Sequence, residues 1–108
     1  MALSKAILYT ETNRRTSRIA KAVSHPARLL LLDQLRDGPL EFCQLLEDHP
    51  LSQSALSQHL RWLRSVNLVQ CNCTGKRSIY QLLPENHPTW LTQILTNMSS
   101  NRRYPQAA

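Results

Sequence analysis

The polar residues between Ser52 and Arg61 have the types and spacing needed to hydrogen-bond in a groove of duplex DNA. The side chains on one helical face there are Gln53, Ser54, Ser57, Gln58 and Arg61. Glutamine can form two hydrogen bonds with adenine, arginine can do so with guanine, and serine can contact a base edge or a phosphate. A helix face that only meets water usually carries Glu and Lys, because both are good helix formers. The stretch therefore favours DNA binding, and a plain solvated face is the alternative.

A helix from about Ser52 to Leu63 must position these side chains. Ser52 is a natural N-cap, since its hydroxyl can accept a backbone N–H of the first turn, and Pro50 pushes the residue before it out of the helical region. Leu56, Leu60 and Leu63 recur at helical spacing and form an apolar stripe opposite the polar face. We expect the leucines to lie in a core and the polar face to point outward.

Charge is distributed unevenly along the chain, which has 108 residues and a net charge of +6. Residues 37–50 carry four acids and no Lys or Arg, whereas residues 51–84 carry four cations and no acid. An acid-free basic segment is typical of a protein that binds a polyanion, because phosphate contacts release counterions. We predict nucleic acid as the partner and no membrane association, since no long apolar run or signal peptide is visible. The expected location is the cytoplasm.

The length fits one domain, which we place at residues 1–100, with a disordered tail at 101–108. Apolar spacing predicts a first helix over roughly Glu11 to Val23 and a second, very apolar helix that begins at Pro26. Gly38 should end the second helix in a left-handed cap. A short helix over Glu41 to Glu47, joined by a tight turn to the helix that begins near Ser52, completes a helix-turn-helix pattern.

Two extended runs, Leu68 to Cys73 and Ser78 to Leu83, flank a turn that contains Gly75 and predict a β-hairpin. Lys76 and Arg77 should lie at its tip, where they could contact the phosphate backbone or enter the minor groove.

A last helix over about Pro88 to Asn97 carries an apolar stripe at a position remote from the predicted core. We prefer the interpretation that this helix and the first one pair with those of a second copy, and packing within one chain is the alternative. The residues assigned to dimerisation are Ile19, Trp90, Leu91, Ile94, Leu95 and Met98.

Five short strings, in this order and spacing, resemble one known family. The strings are SHPARLLLLDQL, CQL, LSQSALSQHLRWLR, NLV and GKRSIYQL. They are similar to the ArsR/SmtB family of winged-helix transcriptional repressors, over about Ile19 to Leu83. The resemblance implies a mainly α fold with a small β-hairpin, a winged helix-turn-helix that dimerises through its N- and C-terminal helices. It also implies a homodimer on a palindromic double-stranded DNA site and an inducer that weakens DNA binding.

The resemblance carries DNA contacts over by position. The polar face named above matches the DNA-reading helix of the family, and Lys76 and Arg77 match the tip of its wing. We group Ser52, at the start of the same helix, with these residues. His59 matches a histidine common in the motif, and either a base contact or a structural role fits it.

The cysteines do not reproduce the family's known sensor sites. Arsenic-responsive members use a Cys-x-Cys pair where this chain has Glu41 and Cys43, and the zinc-type site on the last helix lacks its ligands here, so we predict no metal and no cofactor. Cys43 is expected to be a buried small hydrophobic residue. Cys71 and Cys73 lie on the same side of a strand, where regular geometry places their sulfurs roughly 7 Å apart.

These cysteines are a candidate thiol sensor. Oxidation, or a soft metal that gathers Cys71, Cys73 and Cys43, would bend the hairpin. Two incidental cysteines on a half-buried strand are the alternative. The inducer itself is unknown.

The main functional hypothesis is a sequence-specific, dimeric DNA-binding repressor. The competing hypothesis is a winged-helix module that binds protein or RNA without operator specificity. An enzyme is not expected, because the acids cluster within Asp37 to Asp48 and no nucleophile motif or phosphate-binding glycine loop is present.

Overall fold

A computed structural model describes residues 8–99 of the protein. In chain order the elements are α1 (Glu11–Ala22), α2 (Pro26–Gln34), β1 (Leu40–Glu41), α3 (Phe42–Glu47), α4 (Gln53–Ser65), β2 (Val69–Thr74), β3 (Arg77–Leu82) and α5 (Thr89–Ser99). This arrangement confirms the predicted fold class, a mainly helical chain with a small β-hairpin. The tail predicted at 101–108 lies outside the described residues. Within residues 8–99, no helix is long and apolar enough to cross a membrane.

Helix α2 begins as predicted and ends differently. Pro26 occupies the first helical position, and the ring nitrogen Nδ1 of His25 accepts the N–H of Ala27 at 3.0 Å. After Gln34 the chain tightens into a 3₁₀ turn and reaches Gly38, whose φ of 136° and ψ of 175° are extended rather than left-handed helical. The predicted left-handed cap is therefore wrong, because the chain continues in extended form from this glycine through Pro39 into β1.

A third strand, β1, was not predicted. It pairs antiparallel with β3, so that Leu40 faces Tyr80, and the strands lie in the order β1–β3–β2. Strands β2 and β3 form the predicted hairpin, with Gly75 and Lys76 between them and Gly75 at a φ of 62°. We call this β2–β3 hairpin the wing. Two residues are too few to show the alternating pattern of a strand, so β1 exists only through its pairing with the wing.

The core is built from one face of each long helix. As predicted, Leu56, Leu60 and Leu63 of α4 are buried. Each long helix contributes to this core, whose fully buried leucines are Leu31, Leu32, Leu35, Leu45, Leu56, Leu60, Leu63, Leu68 and Leu91. Burying each of these side chains stabilises the fold by about 1.5–3 kcal/mol, and the leucines of α4 therefore hold that helix against the domain.

Helix α5 lies against this core, and the expectation that its stripe is remote from it is wrong. Leu91 and Leu95 are buried at 0 % and 3 % exposure within their own chain. The guanidinium of Arg36 also donates to the carbonyl of Leu95 at 2.6 Å, which ties α5 to the end of α2. Ile19 of α1 is equally buried. These three side chains therefore cannot supply exposed surface to a second copy.

Candidate nucleic-acid interface

The outer face of α4 carries five polar side chains that point to solvent. Gln53, Ser54, Ser57, Gln58 and Arg61 are all exposed. In the part of the chain that the structure describes, none of them has a side-chain hydrogen bond or ion pair. Each donor and acceptor on this face is thus free for a ligand, and a helix of this width fits the major groove of B-form DNA.

The start of α4 is fixed locally. The hydroxyl of Ser52 accepts the N–H of Ala55 at 3.3 Å, which is the predicted N-cap. One lone pair of that hydroxyl therefore serves the helix, and its proton remains free for a phosphate oxygen. The opposite, leucine-bearing face of α4 is buried, so the outer face cannot rotate away from solvent.

The wing places its two cations differently from each other. Lys76 lies in the turn and is exposed, whereas Arg77 is the first residue of β3. Its Nε atom lies 3.7 Å from a carboxylate oxygen of Glu41, and its side chain is 73 % exposed. An ion pair this exposed contributes little stability, so Arg77 can exchange Glu41 for a phosphate.

His59 lies at the edge of the buried face of α4 and is half-buried. Its Nδ1 accepts a hydrogen bond from Nε of Arg28 at 3.1 Å, and its ring centroid is 4.5 Å from that of His25. Burial lowers the pKa of His59, and neighbouring positive charge lowers it further. This placement supports the structural role that the sequence left open beside a base contact.

Arg28 is a positioning residue that the sequence analysis missed. Besides His59, its guanidinium donates to the carbonyls of Ala22 at 3.0 Å and Lys21 at 3.3 Å. It also lies 4.8 Å from the centre of the Trp62 ring, within the range of a cation–π contact. Arg28 therefore joins the end of α1 to α4. A lone cation inside the apolar string PARLLLLDQL was the signal that could have revealed it.

The turn of the helix-turn-helix is attached to α2 through His49. This side chain is buried, and its Nε2 lies 3.1 Å from the carbonyl oxygen of Ala27. Since a carbonyl only accepts, Nε2 carries the proton. The hydrogen bond fixes the segment between α3 and α4 against the start of α2.

The sulfur atoms of Cys71 and Cys73 lie closer together than regular strand geometry predicts. The Sγ atoms of Cys71 and Cys73 are 3.4 Å apart, so the predicted separation near 7 Å is wrong. The prediction used regular strand spacing alone, and side-chain rotation about χ1 can bring two such sulfurs closer than that spacing.

Cys43 is exposed rather than buried, with its sulfur 3.6 Å from a carboxylate oxygen of Glu41. Among residues 8–99, no three His, Cys, Asp or Glu side chains are grouped closely enough to hold a metal ion. The structure therefore does not gather the three cysteines.

Comparison with known proteins finds a family and several proteins to which this chain is similar. The family model described as "Bacterial regulatory protein, arsR family" matches residues 25–70. The HTH-type transcriptional regulator Rv2034 of Mycobacterium tuberculosis is 34 % identical over 87 residues, which cover 81 % of this chain and 78 % of that regulator. The HTH-type transcriptional regulator NmtR of the same organism is 39 % identical over 75 residues, which cover 69 % of this chain but only 59 % of NmtR.

A solved structure shows the same architecture along nearly the whole chain. The crystal structure of NolR from Sinorhizobium fredii matches with a TM-score of 0.70 and 31 % sequence identity. The match covers 94 % of this chain and 95 % of NolR. The architecture described above is therefore shared with NolR, and the sequence is similar to two proteins named as transcriptional regulators.

Proposed function

Because this chain belongs to the arsR family of bacterial regulatory proteins, whose members bind DNA and regulate transcription, we propose that it is a homodimeric repressor of a palindromic site. The observation that carries the proposal is the outer face of α4, with its five exposed and unpartnered polar side chains. Gln58 and Arg61 supply the base-reading groups, each able to form two hydrogen bonds with one base.

The remaining polar and charged side chains position α4 on the duplex. Ser54 and Ser57 are short, so they let α4 approach closely and can donate to phosphates or base edges. Lys76 reaches the phosphate backbone from the wing turn. The phosphate contacts among these carry no sequence information, but they fix the register of α4 and make the affinity depend on salt.

A palindromic site requires two copies related by a two-fold axis. The apolar surface left over on α5 supports this arrangement: Ile94 is 39 % exposed, and Trp90 and Met98 are half-buried. We assign dimer contacts to these three residues. We also propose that the dimer is cytoplasmic. The inducer is a separate question.

The proposal is tested by the base preference of two single variants. The wild-type site is first selected from random duplexes, and affinity for it and for single-base changes is measured by fluorescence anisotropy. Gln58→Ala and Arg61→Ala should each lose about 1–3 kcal/mol of discrimination at one base pair per half-site, because a bidentate base contact disappears.

Arg14→Ala is the matched control, since it removes one exposed positive charge from α1, outside the helix-turn-helix and the wing. It should keep the full base preference. If both α4 variants discriminate as well as wild type, α4 is not the reading helix. If wild type selects no duplex at all, the module that binds protein or RNA without operator specificity is the better description.

A further inference from the structure

A cavity of about 250 Å³ lies between α1 and the end of α4. Arg15 and Arg18 line it from α1, and Ser65 and Asn67 line it from the last residue of α4 and the segment that follows. Asn86, in the turn before α5, also contributes. The lining residues include two arginines and no carboxylate. The cavity therefore presents two positive charges and several amide and hydroxyl groups to a ligand.

Both guanidiniums are held only weakly within the chain. Arg18 lies 3.1 Å from a carboxylate oxygen of Glu11, but the two side chains are 57 % and 78 % exposed. An ion pair this exposed contributes little stability, so an anionic ligand can replace Glu11. Arg15 donates to the carbonyl oxygen of Asn86 at 3.4 Å, which is longer than a typical hydrogen bond of this kind. Both arginines are therefore available to an anion.

The end of α4 does not need these arginines as a cap. The carbonyl oxygen of Leu63 accepts the N–H of Leu68 at 3.1 Å, and that of Arg64 accepts the N–H of Asn67 at 3.0 Å. The carbonyl oxygen of Asn67 accepts the side-chain N–H of Asn86 at 3.0 Å. Unpaired carbonyls at the end of a helix attract cationic side chains. Because these three carbonyls are already paired, the positive charges on α1 are left for a ligand.

The size of the cavity favours a short ligand. At about 30 Å³ for each water-sized group, the cavity holds about eight non-hydrogen atoms. Side chains three positions apart on a helix have Cβ atoms about 5–6 Å apart, so two guanidiniums on α1 can reach both ends of one such molecule. A guanidinium forms paired hydrogen bonds with a carboxylate. Ile19 and Val66 also line the cavity and offer apolar contact to a short carbon chain.

We propose that this cavity binds a short dicarboxylate, about four carbons long, with Arg15 and Arg18 each holding one carboxylate. The two negative charges of the ligand match the two guanidiniums, and the number of its atoms matches the volume. The side-chain amide of Asn86 donates one N–H to Asn67, and its second N–H can donate to a carboxylate oxygen. The base-reading residues assigned to α4 do not line the cavity, so the site is independent of the proposed function.

Binding is tested by isothermal titration calorimetry on the full chain, with succinate as the probe and the ionic strength held constant. Wild type should bind one succinate per chain with a Kd of about 1 mM or lower, as efficient contacts from about eight atoms allow. Succinamate, in which an amide of the same size replaces one carboxylate, should bind at least about tenfold more weakly. Inorganic phosphate, which is smaller and has no carbon chain, should bind more weakly than succinate.

Substitutions on α1 separate the site from general attraction to a basic protein. Arg15→Gln and Arg18→Gln should each weaken succinate binding at least about tenfold, because a charged donor is lost. Arg14→Gln is the matched control, since it removes the same charge from a neighbouring exposed position that does not line the cavity. It should bind like wild type. Glu11→Gln removes the competing carboxylate and should bind about two- to fivefold more tightly. Circular dichroism checks that every variant is folded.

The outcomes separate a dicarboxylate from other anions. No succinate binding in wild type, equal binding of succinamate, or equal losses in all three arginine variants overturns the site. Phosphate that binds more tightly than succinate overturns the dicarboxylate assignment. If succinate does not bind, but Arg15→Gln and Arg18→Gln lower affinity for duplex DNA and make it less dependent on salt, the arginines contact the DNA backbone instead. A protein that binds succinate but selects no duplex refutes the proposed function and leaves the dicarboxylate site standing.

Discussion

His59 shows how one contact decides the role of a side chain. Its Nδ1 accepts from Nε of Arg28, so this nitrogen cannot carry a proton in the observed arrangement. A proton there would break the hydrogen bond and place a positive charge next to the guanidinium. The pKa of His59 is accordingly below its ordinary value of 6.5, first because of burial and then because of the nearby charges of His25, Arg28 and His49.

A pH dependence of stability follows from this lowered pKa. Between the lowered value and 6.5 the unfolded chain binds more protons than the folded one, so the free energy of unfolding rises with pH. The contribution of His59 is fully present above the unfolded pKa and is lost as pH falls. His59→Asn keeps an acceptor for Arg28 and cannot titrate. Its melting temperature should therefore change less than that of wild type between about pH 7 and pH 5.

Gln58→Ala is the control for that measurement, since it alters the neighbouring position of α4 without removing a titratable group. It should keep the pH dependence of wild type. A His59→Asn protein whose stability falls with acid as steeply as that of wild type would show that His59 does not carry the effect.

The sequence could place residues on faces but not choose their partners. Helical spacing alone put Gln58 and Arg61 outward and the leucines inward, and the structure agrees. The partner of His59 lies 31 residues away, at a distance no local pattern reaches. The sulfur pair of Cys71 and Cys73 depends on side-chain rotation, which spacing along a strand does not specify.

At the level of elements, two glycines allow turns of different kinds. Gly38 has a φ of 136° where the chain passes from α2 into β1, and Gly75 has a φ of 62° at the wing turn. In the part of the chain that the structure describes, no heavy atom other than those of the glycine and its two chain neighbours lies within 4 Å of where a Cβ would stand at either position. A side chain at either position would therefore destabilise the fold through strain in the backbone and not through a steric clash.

Substitution should consequently be harder at Gly38 than at Gly75. The extended region with positive φ is open almost only to glycine, so Gly38→Ala should lower the free energy of unfolding by about 1–3 kcal/mol. The left-handed region of Gly75 tolerates asparagine, so Gly75→Asn should cost less than about 1 kcal/mol. Urea unfolding followed by circular dichroism measures both. Equal costs, or a larger cost at Gly75, would contradict this assignment.

Elements were predictable where two independent signals agreed. For α4, the N-cap at Ser52 and the leucine period indicate the same helix, and both are observed. The strand β1 has neither signal, since it consists of two residues whose partners on β3 are 40 and 38 positions away. Non-local pairing of this kind leaves no trace in the local sequence.

At the level of the whole molecule, the apolar stripe of α5 is divided between two surfaces. Leu91 and Leu95 are covered by the chain's own core, whereas Ile94 is 39 % exposed. Periodicity identifies an apolar stripe but does not say which molecule covers it. The division leaves a narrower surface for a second copy than the sequence suggested, centred on Ile94 with Trp90 and Met98 beside it.

Ile94→Glu should separate dimerisation from folding. A carboxylate at this exposed position leaves the core of each copy intact, but at a dimer contact it removes about 1.5–3 kcal/mol of apolar burial and adds the desolvation of a charge. We expect at least about a tenfold loss of dimer affinity by sedimentation equilibrium, with the melting profile of a folded domain retained. Gln93→Glu, the same charge on the neighbouring exposed residue, should remain dimeric.

The salt dependence of DNA binding then reports how many copies hold the site. Each phosphate contact contributes about −0.9 to the slope of log affinity against log salt concentration, so a dimer on two half-sites should have twice the slope of one copy. On a single half-site, Ile94→Glu should therefore show nearly the salt slope that each copy contributes in wild type. On the full palindrome, it should show about half the wild-type salt slope. If Ile94→Glu keeps both the dimer and the full slope, the two-fold contact lies on another surface, because a buried glutamate at this position could not be neutral for assembly.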